Sequence, residues 1–233
     1  MRRFVQSLSG YGAWLEAHFP GLSTPLSTSP DRYNISGRGA AFVVLETKAG
    51  LQARECIWGI VPPWSKTSTT QYTTVTARVD RAARSRMYRR AWATQRCVVP
   101  MNGYYKWDRT VSPARPYFIQ AASGEPLLAA GLWECWDRDG PALYSFSVLT
   151  YPNPAIPPPL VRDGPVFLPP ADWRRWLQRA RWLPERYLRG LKQPQLEAYR
   201  VGTAVRDAGR DDYTLLEPVQ GKDSRAAAAG EEE

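Results

Sequence analysis

The sequence is short of the residues on which most hydrolytic and metal chemistry depends. Its 233 positions hold one histidine, His18, and three cysteines, Cys56, Cys97 and Cys135. The cysteines are widely spaced, odd in number and form no C-x-x-C pair, which argues against a disulfide framework or a zinc site and fits a reducing compartment. A lone histidine in a helical segment leaves no nucleophile–base pair of the hydrolase kind. No run of about 18 apolar residues occurs, and the amino-terminal stretch has no apolar core of signal-peptide length. The expectation is a cytoplasmic protein with no membrane partner and no metal or cofactor. Lysine is also scarce: 26 of the 31 basic residues are arginine and 5 are lysine, set against 22 acidic residues.

What is present is arginine, tryptophan and tyrosine. A net charge of +9 and a pI near 9.7 create a field that attracts polyanions such as nucleic acid. Arginine suits phosphate because its planar fork donates two parallel hydrogen bonds, although arginine-rich codon usage would leave the same bulk excess. With 43% hydrophobic residues, 10 Trp and 12 Tyr, the chain has material for a real core. Its length suits one domain over residues 1–220, and Gly221–Glu233, without an apolar face, reads as a disordered tail.

Runs rich in β-branched and aromatic residues predict strands at Ala41–Thr47, Ala53–Ile60, Cys97–Pro100, Tyr104–Trp107, Pro116–Gln120, Leu127–Glu134 and Leu143–Thr150. Short connections between most of them favour an antiparallel sheet folded on itself, with a hairpin turn at Ser123-Gly124. Helical patterns fall at Tyr11–His18, Arg81–Thr94, Pro170–Arg179 and Pro184–Leu191. The class is therefore α+β. Five prolines between Pro152 and Pro159 exclude a helix or central strand and predict a stiff extended loop, either a rigid connector or a ligand-facing segment.

Seven strings along the chain occur in a telling order: Arg3-Phe4, Arg32-Tyr33-Asn34, Trp58-Gly59-Ile60-Val61-Pro62-Pro63-Trp64, Ala77-Arg78-Val79-Asp80, Ser85-Arg86-Met87-Tyr88, Arg96-Cys97-Val98-Val99-Pro100 and Gly103-Tyr104-Tyr105-Lys106-Trp107. Together they resemble the SOS response-associated peptidase (SRAP) family of abasic-site-processing proteins, from residue 1 to about 219. The resemblance implies a curved, mainly antiparallel, β barrel-like core with peripheral helices and a basic groove for single-stranded DNA. It also implies chemistry at a cysteine directly after the initiator methionine, whose thiol and amine trap the abasic aldehyde as a thiazolidine. Here that cysteine is absent: the chain opens Met1-Arg2-Arg3-Phe4. The family's asparagine, glutamate and histidine fall on Thr76, Lys106 and Val161, the last within a residue. Lys106 carries the opposite charge to a glutamate and cannot accept a proton while ionised. The family's crosslinking and autopeptidase activities are therefore expected to be lost.

The positions that would hold DNA are kept. The resemblance places Arg3, Arg78 and Arg86 on the phosphate backbone and Asn34 at the lining of the site. For Arg78 the competing reading is a salt bridge with Asp80 or Glu55; for Arg3 and Arg86, a solvated surface; for Asn34, an Asx-turn. Trp64 either stacks a base or packs into the core. Three functions follow: a protein in the DNA damage response that binds single-stranded or abasic-site DNA noncovalently, cytoplasmic or nucleoid-associated; an abasic-site enzyme with Lys106 as amine nucleophile; or an interaction module for an acidic protein partner.

Overall fold

Period-two alternation organises the core. In β9 (Leu127–Trp136), Leu127, Ala129 and Trp133 face one apolar cluster, while Leu128, Ala130 and Leu132 face another. Both faces of that strand are buried, so its sequence runs almost unbroken in apolar residues where a half-exposed strand would alternate. The computed structural model describes residues 1–69, 73–138, 140–178 and 184–219. The expected tail at Gly221–Glu233 and the end of the third helical pattern at Arg179 lie outside the described residues.

The larger sheet contains β3 (Ala40–Thr47), β4 (Gly50–Trp58), β5 (Thr76–Arg78), β6 (Arg96–Met101), β9, β10 (Leu143–Pro152) and β11 (Asp163–Pro165). Antiparallel pairing runs from β4 through β3, β6 and β9 to β10. A short parallel pairing of β10 with β4, at Ser145↔Ile57 and Phe146↔Trp58, closes the ring into a barrel. Closure leaves these strands no free edge along their shared length. Val43, Cys56, Trp58, Cys97, Val99, Phe146 and Val148 are among the residues filling one side of the barrel wall. All three cysteines are free thiols, and burial pushes that of Cys56 up to about 12.

A second sheet has the order β12 (Leu196–Arg200), β8 (Arg115–Ala121), β7 (Gly103–Asp108), β1 (Arg3–Gln6) and β2 (Arg32–Ser36). Phe4, Tyr104 and Ile119 turn from it into the barrel cluster, whereas Val5, Tyr105 and Phe118 face Val201, Val205 and Leu215 on its far side. Gly103 permits the close β7–β8 approach, since a Cβ there would stand 2.3 Å from the Ile119 carbonyl oxygen. Among the described residues six short α-helices lie outside the sheets: α1 (Gly12–His18), α2 (Ser23–Ser27), α3 (Val79–Ala82), α4 (Arg89–Thr94), α5 (Trp173–Leu177) and α6 (Pro184–Gly190). Trp173 and Trp176 of α5 pack on the barrel's outer cluster. The expected α+β class and barrel-like core are what the structure has.

Three local expectations are corrected. Ser123-Gly124 does form a turn, with Gly124 at φ +72°, but β8 and β9 on either side join different sheets and do not pair. Both edges of β9 are taken by β6 and β10, so no hairpin is open to it. The helical pattern at Arg81–Thr94 splits into α3 and α4, because the Ser85 hydroxyl accepts from the Met87 amide and breaks the run. The proline-rich segment is a series of turns closed by Ile156 N–H to Asn153 and Leu160 N–H to Pro157, where a stiff extended loop was expected.

Candidate nucleic-acid interface

At Val148 the strand β10 leaves the barrel and changes partners. Its last residues pair with β5 on one edge, at Val148↔Thr76 through Thr150↔Arg78, and with β11 on the other, at Thr150↔Pro165 through Pro152↔Asp163. This three-stranded tongue carries Thr76, Arg78 and Asp163 side by side. From the second sheet, Lys106 of β7 lies one alternation beyond Tyr104 and so points to the same face. The apolar core ends there, and Lys106 emerges at the seam between the two sheets.

The seam is a cleft of about 240 Å3 lined by Met1, Arg2, Tyr105, Lys106, Trp107, Arg109, Val161 and Asp163. Three positions that the family resemblance linked to the altered chemistry, Arg2, Lys106 and Val161, thus converge in one place. Lys106 Nζ donates to the main-chain oxygen of Asp163 at 2.5 Å. Burial lowers the Lys106 pKa, with the Asp163 charge acting in the opposite sense. The Met1 amino group is held down to about 6, first by burial and then by Lys106. Val161 is 65% exposed at the rim and offers no proton to any partner.

The fourth position, Thr76, lines an adjoining cavity with Ala77, Arg78, Asp80, Arg81, Arg84, Ser85 and Tyr88. Arg78 joins the two. Its guanidinium makes paired hydrogen bonds to Asp80, both at 3.1 Å, and Nη1 lies 3.8 Å from Asp163 Oδ1 across the divide. The salt bridge with Asp80 that competed with the phosphate reading is therefore real, and Glu55 is not its partner. Arg78 is exposed and Asp80 partly so, which keeps the fork at the surface. Arg81, Arg84 and Arg109 are further cations on these walls; each stood among many arginines and lacked any string to distinguish it.

Beyond Ser85 lies the aromatic element. Trp64 is 42% exposed, and the Arg86 guanidinium sits over its ring at 4.7 Å. The loop that presents it is pinned from below, because Trp136 Nε1 donates to the Ser65 carbonyl and Arg138 Nε to that of Pro63. An exposed ring on an anchored loop, flanked by arginine, is a platform for a flat apolar group.

Arg3 and Asn34 have other employment. Asn34 is 5% exposed, and its Nδ2 donates to the carbonyls of Val205, Asp207 and Arg210. Its Oδ1 accepts from Arg3 Nη1, and Arg3 Nη2 reaches the Arg206 carbonyl. The pair ties β1 and β2 to the carboxy-terminal segment and engages both ends of the Asn34 amide. Asp163, conversely, was missed: it lies in β11, whose three residues carry no strand signal of their own.

Comparison with known proteins gives a consistent picture. A family profile described as SOS response associated peptidase (SRAP) matches residues 7–208. The chain is 25% identical over 191 residues to "Abasic site processing protein YoqW" of Bacillus subtilis, covering 79% of this chain and 85% of that one. It is 24% identical over 148 residues to "Abasic site processing protein YedK" of Escherichia coli, covering 64% and 65%. In structure it resembles a protein from Bacteroides thetaiotaomicron with a TM-score of 0.75 and 18% identity, over 93% of this chain and all of the other. A protein from Bordetella bronchiseptica superposes with a TM-score of 0.70 at 22% identity, over 87% of this chain and all of the other.

Proposed function

Because this chain belongs to the SOS response-associated peptidase (SRAP) family, we propose that it acts in the DNA damage response by holding single-stranded or abasic-site DNA noncovalently. Its relatives are named for abasic-site processing, which supports DNA as the class of ligand. The observation that carries the reading is the continuity of the surface. One guanidinium, Arg78, bridges the Lys106 cleft and the arginine-lined cavity, and Arg86 on Trp64 prolongs the second wall. The arginines take phosphates, which gives affinity without reading sequence, and Trp64 takes the face of a base. The cleft receives the sugar of a nucleotide that has lost its base.

Within this reading the family's lasting crosslink does not form. A thiazolidine needs a thiol and an amine on one residue, and no cysteine lines either cavity. Thr76, Lys106 and Val161 supply neither carboxylate nor imidazole. Fluorescence anisotropy with a labelled single strand, intact or carrying one abasic site, tests the proposal. Affinity should fall steeply with added salt and should be higher for the abasic strand. A protein that binds neither strand at low salt is not a DNA-binding protein of this kind.

A further inference from the structure

Lys106 is the least explained group in the cleft. Its ammonium has the Asp163 main-chain oxygen as its hydrogen-bond acceptor, and among the described residues no carboxylate lies within ion-pair distance of it. A lysine that merely carries charge is normally well exposed or paired. This one is half-buried beside Arg2 and Arg109, which a simple phosphate contact would not require. The next group is equally unusual: Asp163 Oδ1 is buried without a hydrogen-bond partner, its nearest cation being Arg78 Nη1 at 3.8 Å. Close enough to feel the Asp163 charge, the buried Tyr104 hydroxyl also lacks a partner.

An amine free of a carboxylate partner, a carboxylate oxygen free to take a proton, and a small cavity are what carbonyl condensation requires. The cavity, at about 240 Å3, is smaller than the ~300–1,000 Å3 usual for a whole ligand, and suits one sugar-sized group. We infer that Lys106 condenses reversibly with the ring-opened aldehyde of a bound abasic site, Asp163 relaying the protons. The inference rests on the DNA-binding part of the reading above and replaces a purely noncovalent hold on the abasic sugar with a transient covalent one.

The step balances without any further reactant. Neutral Lys106 Nζ attacks the aldehyde carbon, a C–N bond forms, and the carbonyl π electrons move to oxygen, which receives through Asp163 the first proton shed by nitrogen. Asp163 then takes the second nitrogen proton and passes it to the carbinolamine hydroxyl, which leaves as water while the nitrogen lone pair closes the C=N bond of the imine. Addition of water reverses each move and frees lysine and aldehyde. An imine is thus a capture that relaxes, unlike the ring made by a cysteine.

Borohydride added to the full-length protein with an abasic oligonucleotide should reduce the imine to a stable amine, seen as a gel-shifted adduct and mapped to Lys106 by peptide mass spectrometry. In Lys106→Arg a cation remains for phosphate but no reducible imine can form, so the adduct per molecule of bound DNA should fall at least tenfold. Asp163→Asn should slow trapping severalfold; an unchanged rate would remove Asp163 from the step. Mapping the wild-type adduct needs no variant to fold, and an adduct on any other amine, Met1 included, overturns the inference. Anisotropy run alongside separates the two failures. Strong binding without an adduct refutes the lysine chemistry alone, and absence of binding refutes the DNA reading and the chemistry together.

Discussion

Arg78 can be tested against its own salt bridge. The side chains of the Arg78–Asp80 pair are 44% and 32% exposed, respectively, and a pair of that kind stabilises a fold by about 0–1 kcal/mol. Arg78→Ala should therefore leave the denaturation midpoint almost unmoved. If the guanidinium instead turns to a phosphate, its loss removes a charge-assisted hydrogen bond of about 1.5–3 kcal/mol, at least a tenfold weakening. It should also reduce the slope of log affinity against log salt by about 0.7, the share of one single-strand phosphate. Asp80→Asn is the complementary change. It frees the fork and removes a carboxylate facing the strand, so affinity should rise a few-fold. Anisotropy titrations at four or more salt concentrations give the affinities and the slope, and urea denaturation gives the midpoint. A lowered midpoint with unchanged affinity and slope in Arg78→Ala would show that the residue serves Asp80 alone, and the proposed phosphate path would lose its bridge.

Other perturbations separate the face that binds from the frame that holds it. Trp64→Ala should cost about 1–3 kcal/mol of single-strand affinity with little change in salt slope, because stacking is not a counterion effect. Asn34→Ala should act in the opposite way: it orphans the Val205, Asp207 and Arg210 carbonyls and lowers stability by about 2 kcal/mol or more, read by urea denaturation, while salt slope holds. Glu134 is buried at 1% exposure and pairs with Arg90, yet burial outweighs the pairing and raises its carboxyl to about 7. A carboxyl raised in the folded state binds more protons folded than unfolded, so stability should be full below about 4.5 and fall as pH rises to about 7, by roughly 3 kcal/mol. Glu134→Gln should flatten that decline in melts across pH 4 to 8; an identical slope in both proteins would mean that the carboxylate is ionised throughout.

Much of the barrel was legible because its strands are long and buried on one or both faces: Ala41–Thr47 and Leu143–Thr150 fall within the observed strands, and even the ends are close. Of the strands that build the site, β7 and β10 were legible, but β5 and β11 were not. β5 and β11 have three residues each, and of Thr-Ala-Arg and Asp-Gly-Pro only the threonine favours a strand, too little to detect. They exist because β10 offers them free edges, a property of the fold and not of their own sequence. For the same reason Thr76, Arg78, Lys106 and Val161 could be picked out by resemblance, while Asp163 could not. The error at Ser123-Gly124 has a similar source: turn chemistry is local, but which strands pair is decided by edges already occupied. Exposure of Trp64 was open in the sequence, since its loop stays out of the core only through the anchors on Pro63 and Ser65.

The tongue formed by β5, β10 and β11 is, in mechanical terms, a cantilever rooted in the barrel seam. At its root the Val148 amide donates to the Val75 carbonyl, which also takes the indole N–H of Trp58 inside the core. The next residue toward the tip is Thr76, and two beyond it is Arg78. Under the proposed function, a strand of DNA pulling on Arg78 would therefore load the parallel seam at Ile57–Ser145, which carries two registered residue pairs. One of the barrel's two shortest joins and the proposed binding face thus bear the same strain, so that a ligand which steadies one end of β10 would also guard the closure of the fold.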